Sequence, residues 1–293
     1  MSASPLRLNS PDPAKRMENI KHERITQVIG PRESVGVWAA DLWRYRATLW
    51  ALCARDIRGK YKQSVLGVAW ALIQPLVLVG VYSFVFAGVA KVKAPVEYPV
   101  FVLSALLPFN LFQQVVSLGT PAFVSQQGIV TKVYFPRLYT VISGSASALM
   151  NACVTFGALV FALIFYGRGL SWRIWLALPC FVATWLLALG LAALLGAINA
   201  RYRDVQHGLP LMMTVLLFVS PVLYPLESVP NKLKPFALVN PVTGLVDGFR
   251  SAVIGTEPHS WPLVWGAMAG ALVIFVVGVL VFERTQAQLI DVL

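Results

Sequence analysis

Cys53, Cys153 and Cys180 are the only thiols in this 293-residue chain, and His22, His207 and His259 the only imidazoles. Their spacing builds no Cys-x-x-Cys, no His-x-x-x-His and no paired ligands, so neither a metal site nor a disulfide is expected. A hydrolase or transferase needs a nucleophile within reach of a base. Coupling to an ion gradient needs a group at membrane mid-depth that can hold the ion. The long apolar stretches of this chain contain no Asp, Glu, Lys, Arg or His. Their polar side chains are neutral amides, Gln74, Asn110, Gln113, Gln114 and Asn151, which hydrogen-bond but carry no proton. Unwound backbone could still bind sodium, so ion coupling is disfavoured rather than eliminated. No window supplies the phosphate loop G-x-x-x-x-G-K-[ST] that direct use of ATP would need.

The elements around these residues follow from hydropathy. Six uncharged stretches run from Leu66 to Ala90, Tyr98 to Leu118, Leu138 to Tyr166, Ile174 to Ile198, Gly208 to Leu226 and Trp261 to Phe282. Each approaches the roughly 20 residues that cross a hydrocarbon core, where backbone groups must be paired within helices. With 57% hydrophobic residues and a mean hydropathy of +0.69, the chain fits no soluble class. An all-α polytopic membrane protein with six transmembrane helices is predicted. The fifth stretch is the shortest, and Pro221 and Pro225 interrupt it.

Outside the spans the net charge is +11. Residues 1–33, broken by Pro5, Pro11, Pro13 and Pro31, read as a flexible cytoplasmic tail without the apolar core of a signal peptide. Over residues 34–62, Trp38, Leu42, Tyr45, Leu49, Cys53 and Ile57 recur near helical spacing, with Asp41, Arg44, Arg55 and Arg58 opposite. With Trp43 and Trp50 added, this predicts an amphipathic interfacial helix. Residues 63–293 form the six-span domain. Arg55, Arg58, Lys60 and Lys62 directly precede the first span, which places both termini in the cytoplasm. Between the last two spans, Pro230, Pro235, Pro241 and Gly244 divide the chain into helical pieces of about 229–238 and 242–254, cornered at Asn240 and Pro241. Gly266 and Gly270 make a G-x-x-x-G that permits close helix approach.

Three ordered motifs carry a family resemblance. Arg55-Asp56-Ile57-Arg58-Gly59-Lys60-Tyr61-Lys62-Gln63-Ser64-Val65-Leu66-Gly67-Val68-Ala69-Trp70 leads into Gln74-Pro75-Leu76. Lys132-Val133-Tyr134-Phe135-Pro136-Arg137 lies between spans two and three. Tyr202-Arg203-Asp204-Val205 is followed by Ser220-Pro221-Val222-Leu223-Tyr224-Pro225 and then Asn240-Pro241. Over residues 36–293 the chain resembles type 2 ATP-binding-cassette exporter permeases that move O-antigen, teichoic acid and capsular polysaccharide.

The resemblance implies half of a channel in the cytoplasmic (inner) membrane. A second copy of the chain would complete it, and two separate nucleotide-binding ATPase subunits would drive it. ATP and magnesium would then be used by the partner and no cofactor bound by this chain. The other partners implied are a lipid-linked polysaccharide and membrane lipids, with no nucleic acid. Lys132, Tyr134, Phe135, Pro136 and Arg137 fall near the region that couples to the motor. Arg55, Arg58, Lys60 and Tyr61 stand where a lipid pyrophosphate headgroup would arrive, although topology-setting charge and attraction to anionic lipids are the more economical account of these cations. Tyr82 with Phe86, and Phe109 with Phe112, pair on helical faces and are candidates for a glycan channel in which sugars slide over rings. Pro221, Tyr224, Pro225, Asn240 and Pro241 belong to an outer gate, a re-entrant helical hairpin before the last span. The spans alone also admit a permease for drugs or other lipids of the same architecture, or an ion-driven flippase of lipid-linked sugars.

Overall fold

A computed structural model describes residues 43–61, 66–126, 128 and 136–289. The tail over residues 1–33, Lys62, and the coupling candidates Lys132, Tyr134 and Phe135 lie outside these. From Arg44 onward the described residues form one compact unit.

The architecture is all-α. Helix α1 (Arg46–Tyr61) precedes α2 (Trp70–Tyr82), which continues as a wider π-helical coil over Ser83–Val89. Then come α3 (Tyr98–Ser125), α4 (Leu138–Phe165), α5 (Ala177–Arg201, entered through a 3₁₀ turn at Trp172–Leu176) and α6 (Val205–Val219). The short helices α7 (Lys234–Val239) and α8 (Pro241–Ile254) precede α9 (Trp261–Leu289). Five segments among the described residues are long and apolar enough to cross a membrane: Trp70–Val89, Tyr98–Ser125, Leu138–Phe165, Trp172–Arg201 and Trp261–Thr285. The sixth apolar stretch folds as α6, whose 15 residues reach only about 22 Å. It stops where Ser220 turns extended ahead of Pro221.

Helix α3 is the centre of the unit and packs against both α4 and α5, while α5 packs along α9. Gly190 and Gly278 make the α5–α9 crossing possible. A Cβ on Gly278 would run into the Gly190 carbonyl, and one on Gly190 into the Phe275 backbone. Gly266 and Gly270, the predicted close-approach pair, instead border open space. The partners of that motif are set by neighbouring helices, which its own spacing does not specify.

The hairpin α7–α8 keeps the predicted corner and second piece, whereas the first piece, expected over 229–238, is helical only at Lys234–Val239. Asn240 caps α8, its Oδ1 accepting from the Val242 amide at 3.0 Å, with Pro241 at the first helical position and Gly255 in the left-handed conformation (φ 84°) at the end. Nearly every residue of α8 is buried, and the helix packs on α3, α5 and α9. Helix α8 therefore packs among the spans, while α7 is largely exposed.

Helix α1 packs on α4. Its apolar stripe, Tyr45, Leu49, Cys53 and Ile57, is half-buried and Leu52 is fully buried, while Trp50 is exposed. Trp38 and Leu42 of the predicted stripe lie outside the described residues; the rest of it is half-buried in a helix that packs on the chain's own α4.

Candidate functional site

The amides of the apolar stretches converge. Asn110, Gln113, Gln114 and Ser117 occupy one face of α3 at helical spacing, and Asn151 and Thr155 one face of α4. On α2, Trp70, Gln74, Leu78 and Tyr82 form a four-residue stripe, and α6 adds Met213, Thr214, Leu217 and Phe218. These four helices enclose a cavity of about 550 Å³, the size of a small-molecule site. Asn110 to Gln114 and Asn151 lie near the midpoints of α3 and α4. The Asn151 amide donates to Gln114 Oε1 at 2.5 Å, fixing the Gln114 side chain against the wall. On the α2 and α6 sides the wall is open: Trp70, Gln74, Thr214 and Phe218 are exposed.

Lys60, at the end of α1, lines the cavity at one end and also lines a second one of about 460 Å³. That vestibule is built by Arg55, Asp56 and Gly59 of α1, the end of α3 and the start of α4, including Ser125, Gln126 and Ser147. Arg55 is held by Asp56 through a two-nitrogen contact at 2.7 and 2.8 Å. Arg58 is exposed and lines neither cavity. The side chain of Tyr61 lies outside the described residues. Burial, with Asp56 adding to it, pushes the Cys53 thiol up, so it is no thiolate nucleophile.

The four aromatic candidates separate. Tyr82 lines the amide cavity. Phe86 meets Tyr82 edge-on (6.4 Å between centroids) and lies nearly parallel to Tyr98 at 6.5 Å, so it packs within the protein. Phe109 and Phe112 are 0% and 2% exposed. Both are packed inside the protomer, and the α3 face open to the cavity is the amide face beside them.

At the opposite end of the bundle the outer-gate residues come together around the broken end of α6. Asn240 Nδ2 donates to Ser220 Oγ at 2.8 Å, and the Tyr224 hydroxyl to the Phe218 carbonyl at 2.5 Å. Pro221 is buried, while Tyr224, Pro225, Asn240 and Pro241 are half-buried. Arg250, absent from the sequence-based candidates, is the hub. Its guanidinium is buried, donates to the carbonyls of Pro221 (2.8 Å) and Val222 (3.3 Å), and lies 3.9 Å over the Phe101 ring. The Tyr98 hydroxyl donates to the next carbonyl, Leu223, at 2.6 Å. Three successive carbonyls of the non-helical turn beyond α6 are thereby paired. Of the coupling candidates, Pro136 and Arg137 are described: they precede α4 and are half-buried. In the other short loop, Asp204 makes no capping bond, and Asn199 Oδ1 accepts from the Gln206 amide at 3.3 Å instead.

Among the described residues no group of histidines, cysteines and carboxylates could hold a metal. A cavity between apolar helices, lined by carboxamides, open on one side and with Lys60 at one end, is suited to holding or passing a solute. The family of ABC-2 type transporters matches residues 47–254. The chain belongs to that family. The ABC-2 assignment is accompanied by similarity to permeases of known cargo. An O-antigen export system permease protein, RfbA of Myxococcus xanthus, is 28% identical over 213 residues, covering 72% of this chain and 82% of the relative. RfbA of Klebsiella pneumoniae is 24% identical over 242 residues (82% and 92%). The polysialic acid transport protein KpsM of Escherichia coli is 26% identical over 254 residues (83% and 96%).

Proposed function

We propose that this ABC-2 chain is the membrane subunit of an ATP-driven exporter that carries a lipid-linked polysaccharide out through the cytoplasmic membrane. Two copies would form the path, with their termini in the cytoplasm. Two separate ATPase subunits would hydrolyse ATP with magnesium, and this chain would bind no cofactor. The observation that carries the reading is the amide cavity open between α2 and α6, in a chain whose relatives are polysaccharide-export permeases. The α2 span is only 11% buried within the protomer, whereas α3 is 78% buried. A helix so little covered by its own chain is available to line a shared path or to meet a second copy.

In this reading the phosphates of the lipid carrier are met by Arg55 and Lys60 in the vestibule, where guanidinium and ammonium groups can pair phosphate oxygens. The glycan follows into the amide cavity and past Tyr82. The pinned turn at Ser220–Pro225 and the α7–α8 hairpin close the far end. The motor would grip the loop preceding Pro136 and Arg137 and pull on α4 and α1 together, since these helices pack on each other.

Reconstitution in proteoliposomes tests this reading. Glycan movement and ATPase activity are measured with this chain alone and then with its nucleotide-binding partner. Activity only in the pair, abolished by a mutation in the partner's phosphate loop, is the expected result. Movement by the chain alone on an ion gradient would establish the flippase instead.

A further inference from the structure

We infer that the amide cavity is a subsite for an uncharged sugar unit and discriminates against glycans that carry carboxylates. The inference rests on the exporter reading and narrows its cargo. Five carboxamides from three helices line one space: Asn110, Gln113, Gln114 and Asn151 near the helix midpoints, and Gln74 near the start of α2. In hydrocarbon each such group costs several kcal/mol if left without partners. Gln114 and Asn151 pair with each other, whereas Asn110 and Gln113, half-buried on the α3 face that borders the open volume, are placed to pair with an occupant. A carboxamide offers two donors and an acceptor without charge, and a sugar hydroxyl both donates and accepts. The two chemistries are complementary at every hydroxyl, whichever way it points.

A carboxylate is not accommodated in the same way. It accepts but does not donate, and it must be paired with a cation when taken out of water. Among the described residues, Lys60, at the α1 end, is the only charged one that lines the cavity. An anionic group can therefore be met at the mouth but not among the amides. The arrangement sorts a ligand along its length, charged end at Lys60 and Arg55, neutral units above. Gln114 is held by Asn151, so Asn110 and Gln113 on the same α3 face are the side chains best placed to turn toward a ligand. Trp70 and Tyr82 on α2 supply ring faces for the apolar C–H side of a sugar.

The test uses the full chain assembled with its ATPase partner. Binding of a neutral mannose oligosaccharide and of an oligosialic acid of equal length is measured by calorimetry and saturation-transfer NMR. The neutral probe is expected to bind at least ~10-fold more tightly, each order of magnitude being 1.4 kcal/mol. Asn110→Leu with Gln113→Leu should weaken it at least ~5-fold with an unchanged melting temperature. Gln113→Arg, which places a cation among the amides, should reverse the preference. Equal binding of the two probes, no binding of the neutral one, or a preference untouched by Gln113→Arg overturns the subsite. ATP-driven movement of glycan by the wild-type assembly is read in the same preparation. If it is present while the subsite tests fail, the exporter reading stands and the subsite falls. If it is absent, the exporter reading itself fails.

Discussion

The two helices that begin the bundle, α2 and α3, are both apolar and uncharged, yet the protein uses them oppositely. The α3 span is 78% buried within one chain and α2 only 11%. Helix α3 contributes side chains in two directions, with Phe109 and Phe112 in the core and Asn110, Gln113 and Gln114 toward the cavity. Helix α2 touches the cavity with one stripe, and Leu72, Leu76, Val77 and Val81 remain exposed. A packed frame of α3, α4, α5, α8 and α9 thus carries one wall of the cavity through α3 and α4, and the more exposed α2 and α6 carry the other. Stability and transport should accordingly be separable by mutation.

The sharpest break between frame and wall is Phe112→Ala. Removing a fully buried ring should cost about 3–5 kcal/mol. Thermal unfolding in detergent should show a large drop in midpoint. A near-normal midpoint with slowed export would mean that Phe112 faces the path after all.

Arg250→Met should rank next, at about 2–3 kcal/mol, because the Pro221 and Val222 carbonyls lose their donors in a buried site. Arg250→Lys should recover only part of this, since one ammonium cannot stack on Phe101 and serve both carbonyls as a planar guanidinium does. Hydrogen exchange over residues 219–224 would localise the effect. Equal protection in Arg250→Met and wild type would remove Arg250 as the pin of the hairpin.

Tyr82→Ala tests the wall. Its ring is partly exposed and lines the cavity, so the stability cost should stay near ~1 kcal/mol while the export rate falls several-fold. A large loss of stability would place α2 in the frame and erase the distinction.

These contrasts show which parts of the molecule were legible in the chain. The spans, the α7–α8 hairpin and its Asn240–Pro241 corner follow from hydropathy and from cap and proline signals, which act within a few residues. The amide face was also legible, since Asn110, Gln113, Gln114 and Ser117 fall at one helical spacing. Read only as groups unable to carry protons, however, they gave no hint of a common cavity. That Phe109 and Phe112 share a face was local information, whereas the direction of that face depends on helices distant in sequence. Arg250 lies in the helical piece predicted over 242–254, and nothing near it in sequence says what meets its charge. Its burial arises from α8 folding among the spans, where the broken end of α6 supplies acceptors 28 and 29 residues away. Gly190 and Gly278 likewise acquire their role only from each other.

The smallest expected effect lies at the rim, where the frame meets solvent. Arg168, just beyond α4, donates to Glu97, just before α3, at 2.6 Å. The guanidinium holds the Glu97 carboxyl below its ordinary value, and a backbone hydrogen bond adds to this. The folded state therefore prefers the carboxylate more than the unfolded chain does. The stabilisation is fully present above the unfolded value, near pH ~4.3, and is lost as pH falls through the lower folded value. Both side chains are 38% exposed, so water and salt screen the pair and only a small change in melting midpoint should result. In wild type the midpoint should fall on acidification through this window by slightly more than in Glu97→Gln, and the difference should shrink in high salt. Identical acid profiles would show that the frame is joined at this rim by the packing of α3 and α4 alone.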